Sequence, residues 1–117
     1  MKRVNGVIFY DGRLGTQTEE LPELQEHQVL VEVHASLISP GTEMNIVRKR
    51  RQSPGSREMP PTPFGYSNAG IILETKGDVR NLKPGMRVAC MGTGAATHSS
   101  YAVVPVNLVD RRQMRTG

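Results

Sequence analysis

The chain has 117 residues, a formal net charge of +4 and a single cysteine, with 37% hydrophobic and 22% charged residues. This length supports one domain around one modest core, which excludes an enzyme of two complete domains. One cysteine also excludes an intrachain disulfide or a four-cysteine metal site, and no apolar run reaches the roughly 18 residues of a membrane-spanning helix.

The first third of the chain predicts two strands separated by a polar stretch. Residues 4–10 are strand-like, and Asp11-Gly12 follows as a two-residue hairpin turn because both positions tolerate positive φ. Residues 16–28 are acidic and polar and contain Pro22, which predicts a connection. Residues 29–35 then alternate, and this pattern predicts a strand whose core-facing side chains are Val29, Val31, Val33 and Ala35.

The middle of the chain predicts a turn, a short helix and an irregular segment. Ser39-Pro40-Gly41 is the turn, and Thr42 follows it as a candidate N-cap for a helix that ends near Lys49. Residues 53–63 contain four prolines, so we expect irregular structure there.

Short strands and turns dominate the rest of the chain. Predicted strands over residues 69–75, 86–91 and 100–104 are separated by Gly77-Asp78 and by Pro84-Gly85, a pair that suits a type II turn. Mainly β structure with one or two short helices predicts a small, partly open β-barrel.

Most of the positive charge lies in two segments. Residues 48–58 carry five basic and one acidic side chain, residues 110–117 carry three basic and one acidic, and all other positions together sum to −2. The basic segment 48–58 lacks the aromatic residues on which bases stack, so a solvated loop is favoured over a nucleic acid partner. A loop that covers an acidic substrate or a cofactor phosphate is the remaining alternative.

Two motif-like stretches fail the structural requirements of their motifs. Gly92-Thr93-Gly94 lacks the third glycine and the βαβ context of a dinucleotide-binding loop. Residues 65–69 resemble a nucleophile elbow, but Ala69 replaces the last glycine and a strand follows where a helix is required. We therefore expect neither a nucleotide loop nor a hydrolase.

Three sequence blocks occur in the order and at the distances typical of one family. They are QVLVEV at residues 28–33, PFGYSNAG at residues 63–70 and LKPGMRVA at residues 82–89. Together they resemble the GroES-like N-terminal domain of the medium-chain dehydrogenase/reductases, over nearly the whole chain. Residues 38–43 and 88–105 are closer to zinc-free members, such as the bacteriochlorophyllide dehydrogenase type and the bi-domain oxidoreductases.

The resemblance implies a domain organisation. Residues 1–109 correspond to the substrate-side domain with the GroES-like fold, and residues 110–117 are expected to form a polar, basic and disordered tail. The Rossmann domain of the family is absent from these residues.

The resemblance also implies that both zinc sites of the family are missing. Gly65-Tyr66-Ser67 stands where zinc-dependent members have Gly-His-Glu, and Ser39-Pro40-Gly41 stands where they have a ligand cysteine. The four cysteines of the structural zinc lobe have no counterpart between Cys90 and His98. Cys90 is interpreted as a small strand residue, and the histidines as ordinary surface or edge-strand residues; they are His27, His34 and His98.

Without zinc, hydrogen-bond donors must polarise a carbonyl substrate. The resemblance puts the hydroxyls of Ser39, Thr42 and Tyr66 nearest the substrate cleft. Ser67 is a further candidate there, and Glu43 could orient one of these groups. The competing interpretation is that Thr42 caps the helix and Glu43 stabilises its first turn.

The resemblance therefore implies the substrate-side domain of an NAD(P)-dependent alcohol dehydrogenase or carbonyl reductase that lacks zinc. Alone it is expected to be inactive, because NAD or NADP would bind only with the missing Rossmann domain in cis. Its partners are then a small alcohol or carbonyl substrate and, in the full-length enzyme, further copies in a homo-oligomer. The chain is expected to be cytoplasmic, without a membrane partner.

A standalone GroES-like binding or assembly module without enzymatic activity is the alternative. A co-chaperonin of this fold has an apolar, glycine-flanked mobile loop early in its chain. Residues 16–26 are instead acidic and turn-like, which disfavours this alternative.

Overall fold

The computed structural model describes residues 1–37, 41–65, 67–92 and 95–111, and for Thr42 the backbone alone. Two antiparallel sheets and one α-helix make up this part of the chain, and the sheets do not close into a barrel there. The predicted mainly β, partly open GroES-like architecture is confirmed. The elements are β1 Lys2–Ile8, β2 Leu14–Glu20, β3 Gln28–Ser36, α1 Thr42–Gln52, β4 Thr62–Pro63, β5 Ser67–Lys76, β6 Arg87–Met91, β7 Tyr101–Pro105, a 3-10 helix Val106–Leu108 and β8 Val109–Arg111.

The smaller sheet has the strand order β2-β1-β4. The hairpin of β1 and β2 lies where the sequence predicts it, but its turn is longer than predicted. The Phe9 amide donates to the Arg13 carbonyl at 2.8 Å, and the Gly12 amide donates to the Phe9 carbonyl at 3.0 Å. Gly12 has a φ of 85°, whereas Asp11 has no positive φ. The predicted two-residue turn is therefore wrong, because one left-handed glycine closes a three-residue turn here.

Strand β2 corrects the prediction of a connection over residues 16–28. Its residues pair in register with β1, from Lys2↔Glu20 to Ile8↔Leu14. Because β2 is an edge strand and mostly polar, it shows no apolar alternation that would reveal it. Glu19 accepts hydrogen bonds from Arg3 and Asn5, and the Arg3 hydrogen bond lowers the pKa of the Glu19 carboxyl.

The larger sheet has the order β7-β3-β5-β6-β8 and contributes most of the core. Val29 and Val31 are buried as predicted, and Val33 is partly buried against the core. Ala35 is exposed, so its predicted core position is wrong. A register shift between Val33↔Gly70 and Ala35↔Ala69 inserts His34 as an extra residue in β3, and this bulge reverses the alternation that follows.

The core cluster joins the larger sheet to the loops that follow β5 and β6. Its buried members are aliphatic residues and one cysteine, which interlock between the strands. They are Val29, Val31, Ile72, Val79, Leu82, Val88, Cys90, Ala96, Ala102 and Val104. The core is therefore aliphatic, as the scarcity of aromatic residues indicates.

Helix α1 packs against the β1-β2 hairpin. Val47 is buried, and Arg50 donates to the Ile8 carbonyl at 3.0 Å and to Thr62 at 3.1 Å. The helix continues to Gln52, beyond the predicted end, and its N-cap is Gly41, so Thr42 as N-cap is wrong. The segment after it is irregular as predicted, apart from β4, whose two residues pair with β1.

The second β block follows the prediction, with strand ends that differ by one or two residues. Pro84-Gly85 forms the predicted turn, in which Gly85 has a φ of 92° and the Met86 amide donates to the Lys83 carbonyl at 3.2 Å. Strand β8 pairs with β6 and includes Asp110 and Arg111, so these two residues do not belong to a disordered tail. Residues 112–117 lie outside the described part of the chain. No helix in the described ranges is long and apolar enough to cross a membrane.

We expect Gly70→Ala to destabilise the fold by about 3 kcal/mol, because a methyl group there would overlap the Glu32 carbonyl oxygen in the central strand pair. Chemical denaturation of the purified chain measures this loss. Gly41→Ala is the control, since a Cβ at Gly41 meets no atom within 4 Å. Equal unfolding free energies for the two variants would contradict the register of β3 and β5.

Candidate functional site

The structure places only part of the predicted site. Glu43 lies in the first turn of α1 and is buried, and Ser67 begins β5 and is half-buried. Ser39 and Tyr66 lie outside the described residues, as does the side chain of Thr42. The site can therefore be built from Glu43, from Ser67 and from the side chains that the fold brings to them.

The partner of Glu43 is His98, which lies 55 positions away in the sequence. Nε2 of His98 is 3.1 Å from both carboxylate oxygens of Glu43. The Glu43 side chain is 5% exposed and that of His98 is 13% exposed, so the pair is largely removed from solvent. His98 is thus no ordinary surface histidine, and that interpretation is wrong. It holds for His27 and His34, which are exposed.

The residues around His98 connect the two sheets. The Gly6 amide of β1 donates to the His98 carbonyl at 2.7 Å, and the Ser100 amide donates to the Val4 carbonyl at 2.9 Å. The His98 amide in turn donates to the Phe64 carbonyl at 3.0 Å. The imidazole therefore lies where helix α1, strand β1 and the segment before β5 meet.

Gly65 allows this close approach. It has a φ of 116°, and a Cβ added there would lie 2.7 Å from the His98 amide nitrogen and 3.0 Å from the imidazole Cδ2. The Phe64 ring packs edge-on against the imidazole with 4.8 Å between the ring centroids. Because Gly65 directly precedes Tyr66 and Ser67, the Glu43–His98 pair lies beside the segment that sequence analysis singled out.

Ser67 is linked to the end of β3. The Leu37 amide donates to the Ser67 carbonyl at 3.0 Å, so the residue that follows β3 lies next to the start of β5. Ser67 also pairs with Met91 of β6.

Asn68 is a polar residue of this region that sequence analysis missed. It is buried, and its Nδ2 donates to the Thr97 carbonyl at 3.0 Å. Its Oδ1 has no hydrogen-bond partner among the described residues. The sequence signal that could have identified it is an asparagine directly ahead of an apolar strand. If such a residue is buried, its amide is expected to be fully hydrogen-bonded.

An exposed groove lies on the outer face of the larger sheet at the same end. Its floor is a transverse row of small side chains, since Ala35 pairs with Ala69 and Ala69 pairs with Ala89. Leu37 and Met91 stand beside this row and are 62% and 59% exposed. The groove is therefore mainly apolar, although Ser36, Ser67, Asn68 and Asp110 also line it, and no described residue covers Leu37 or Met91.

The donor groups in the described residues do not fit a zinc ion. No three His, Cys, Asp or Glu side chains there come together as a metal site. Cys90 is fully buried, and burial raises the pKa of its thiol to about 11, so the thiolate that zinc prefers is disfavoured. Nε2 of His98 already contacts Glu43.

The described residues do not fit a nicotinamide nucleotide either. Every strand pair is antiparallel, so these residues contain no βαβ unit with parallel strands. Any nucleotide would have to be held by residues other than these.

Comparison with known protein families gives one match. Residues 25–111 match the model of the alcohol dehydrogenase GroES-like domain. No curated protein sequence matches the chain.

Solved structures share the fold at low sequence identity. The quinone oxidoreductase from Coxiella burnetii is 19% identical with a TM-score of 0.72, and 97% of this chain covers 38% of that protein. An alcohol dehydrogenase superfamily protein from Novosphingobium aromaticivorans is 23% identical with a TM-score of 0.71, at coverages of 93% and 34%. The crotonyl-CoA carboxylase/reductase AntE, solved in complex with NADP, is 18% identical with a TM-score of 0.64, at coverages of 94% and 36%. The chain thus spans less than two fifths of the length of these proteins.

We expect Glu43→Gln and His98→Asn each to lower the free energy of unfolding by about 3 kcal/mol, because either change removes the contact between a buried carboxylate and the imidazole. Denaturant titration of the single and double variants gives the coupling energy of the pair.

The control is the exposed pair of His34 and Glu32, whose Nε2 and Oε1 atoms are 2.7 Å apart and whose side chains are 51% and 43% exposed. Its coupling should stay below about 1 kcal/mol. A coupling for Glu43 and His98 no larger than this would contradict their contact in the folded protein.

Proposed function

Because this chain belongs to the alcohol dehydrogenase GroES-like domain family, we propose that it is the substrate-side domain of an NAD(P)-dependent oxidoreductase that interconverts alcohols and carbonyl compounds. The observation that carries this proposal is the largely buried Glu43–His98 pair, which packs against Gly65, two residues before Ser67 in the lining of the groove. Sites for small molecules combine apolar surface with a few fixed polar groups, which suits a small substrate with one oxygen to be bound.

The nicotinamide nucleotide is proposed to bind to a separate domain of the same polypeptide, which we call the full-length protein. When bound, it would supply or accept the hydride. Support comes from the antiparallel pairing of all described strands, from the length of the related structures and from the NADP complex of AntE. Residues of this chain would then orient the substrate and keep water from it, and the chain alone would be inactive.

The groove is proposed as part of the surface that faces the nucleotide-binding domain. Leu37 and Met91 are exposed there although both are large and apolar, and exposed apolar side chains in one patch indicate an interaction site. Asp110 of β8 lines the same groove, so the last described strand lies at this surface. A cytoplasmic location and a homo-oligomer of the full-length protein remain predictions from the sequence.

Catalysis is proposed to proceed without zinc. The described donor groups do not fit the ion, and the sequence has Tyr66 in place of the family's ligand histidine. Hydrogen-bond donors on this chain would then polarise the substrate oxygen, with Ser39, Thr42, Tyr66 and Ser67 as the candidates from the sequence.

The proposal is tested by calorimetric titration of NADH and NADPH into the 117-residue chain and into the full-length protein, with zinc analysis of both. We expect only the full-length protein to bind nucleotide, and neither sample to contain stoichiometric zinc. Nucleotide binding by the short chain would overturn the assignment of the cofactor site, and stoichiometric zinc would overturn the zinc-free mechanism. A full-length protein that binds neither nucleotide would favour the binding-module alternative.

A further inference from the structure

The buried Glu43–His98 pair has the arrangement of an acid–base couple. The carboxylate is the more deeply buried partner and both its oxygens lie 3.1 Å from one ring nitrogen, Nε2. When Glu43 is ionised it only accepts hydrogen bonds, so Nε2 is then the donor and carries a proton. The second ring nitrogen, Nδ1, is then the atom at which His98 can gain or lose a proton.

Nδ1 of His98 is available for that exchange. It has no hydrogen-bond partner among the described residues, and the side chain retains 13% of its exposure. His27 differs, since its Nδ1 contacts the Asp78 carbonyl oxygen at 2.8 Å. Among the described residues, the buried side-chain atoms without a partner are Asn5 Oδ1 and Asn68 Oδ1, so Nδ1 of His98 keeps its access to solvent and to a ligand.

The contribution of this buried pair to stability does not by itself explain its presence. A buried ion pair often stabilises a fold no better than apolar side chains of the same size, because both groups lose their hydration. Here the pair lies against Gly65 at the start of the segment that leads to Ser67 and the groove. A carboxylate that fixes the ring and sets its tautomer is the arrangement by which an imidazole acts as general acid and base.

We propose that His98 is the proton donor to the carbonyl oxygen during reduction and the proton acceptor during alcohol oxidation, with Glu43 as its positioning residue. This inference rests on the proposed function. Imidazole is the side chain that most often serves as general acid and base, ahead of the hydroxyls of serine, threonine or tyrosine.

The step balances without any further reactant. A reduced nicotinamide, when bound to the separate domain, would supply hydride to the carbonyl carbon, and the electron pair of the C=O π bond would move to the oxygen. The proton on Nδ1 of His98 passes to that oxygen, which yields the alcohol, and His98 regains a proton from water. Oxidation of the alcohol is the reverse. Within the described ranges the charged group against His98 is Glu43 of α1, since the contacts from β1 and the segment before β5 are made by Gly6, Phe64 and Gly65.

The test measures carbonyl reduction by the full-length protein, with NADPH and NADH and a panel of aldehydes, ketones and quinones. We expect His98→Asn to lower kcat by about 100-fold or more, and to remove one limb of the pH profile that the wild type shows. Glu43→Gln should lower kcat by about tenfold or more, and Glu43→Asp should restore part of it. The dissociation constant for NADPH should not change in any of these variants.

His34→Asn and Glu32→Gln are the matched controls, because they alter an exposed pair of the same residue types. Both should keep the wild-type kcat and pH profile. If the wild type is active and the His98→Asn variant keeps the wild-type kcat and pH profile, the role of His98 is overturned. The proposed function is not affected by that result. A wild type that binds nucleotide but reduces none of the panel would overturn the proposed function, and this inference with it.

A second measurement separates proton transfer from a purely structural role. Long-range ¹H–¹⁵N correlation in ¹⁵N-histidine-labelled protein reports the tautomer of each imidazole. We expect neutral His98 to carry its proton on Nε2 and to leave Nδ1 bare, and Glu43→Gln to weaken this preference. A His98 whose Nδ1 carries the proton in its neutral form would overturn the inference whatever the activity of the variants.

Discussion

The burial of one carboxylate, Glu43, constrains much of this structure. A carboxylate that is removed from water needs a charged or hydrogen-bonding partner, and His98 meets that need from 55 positions away. Through this contact the first turn of α1 is tied to the segment around His98. That segment in turn holds β1 through Gly6 and the approach to β5 through Phe64. This polar contact therefore ties the helix to the segment at which the two sheets meet, in addition to the packing of Val47 and the hydrogen bonds of Arg50.

The candidate site also depends on two departures from regular structure. Gly65 adopts a positive φ and has no side chain, so His98 can pack directly against the backbone there. The bulge at His34 turns Ala35 outward and places it in one row with Ala69 and Ala89, which creates the floor of the groove. Local irregularities of this kind are expected where a fold serves a ligand or partner as well as its own core.

Much of the fold could be predicted from sequence pattern alone. Alternating valines identified β3, and the Pro84-Gly85 pair identified a turn, because both signals depend on residues that are neighbours in the chain. Strand β2 escaped the same analysis, since an edge strand that is mostly polar has no periodicity to detect. The N-cap was misplaced because Thr42 and Gly41 are both acceptable at the start of a helix.

For this protein, the sequence by itself determined the family, the positions of most strands along the chain and the presence of Glu43 in a first helical turn. These properties follow from local spacing and from ordered blocks along the chain. Only the tertiary structure decided that Glu43 is buried, that His98 is its partner and that Ala35 faces outward. The reason is physical: burial and pairing of a charge depend on contacts between residues far apart in sequence, and a single inserted residue reverses which face of a strand points to the core.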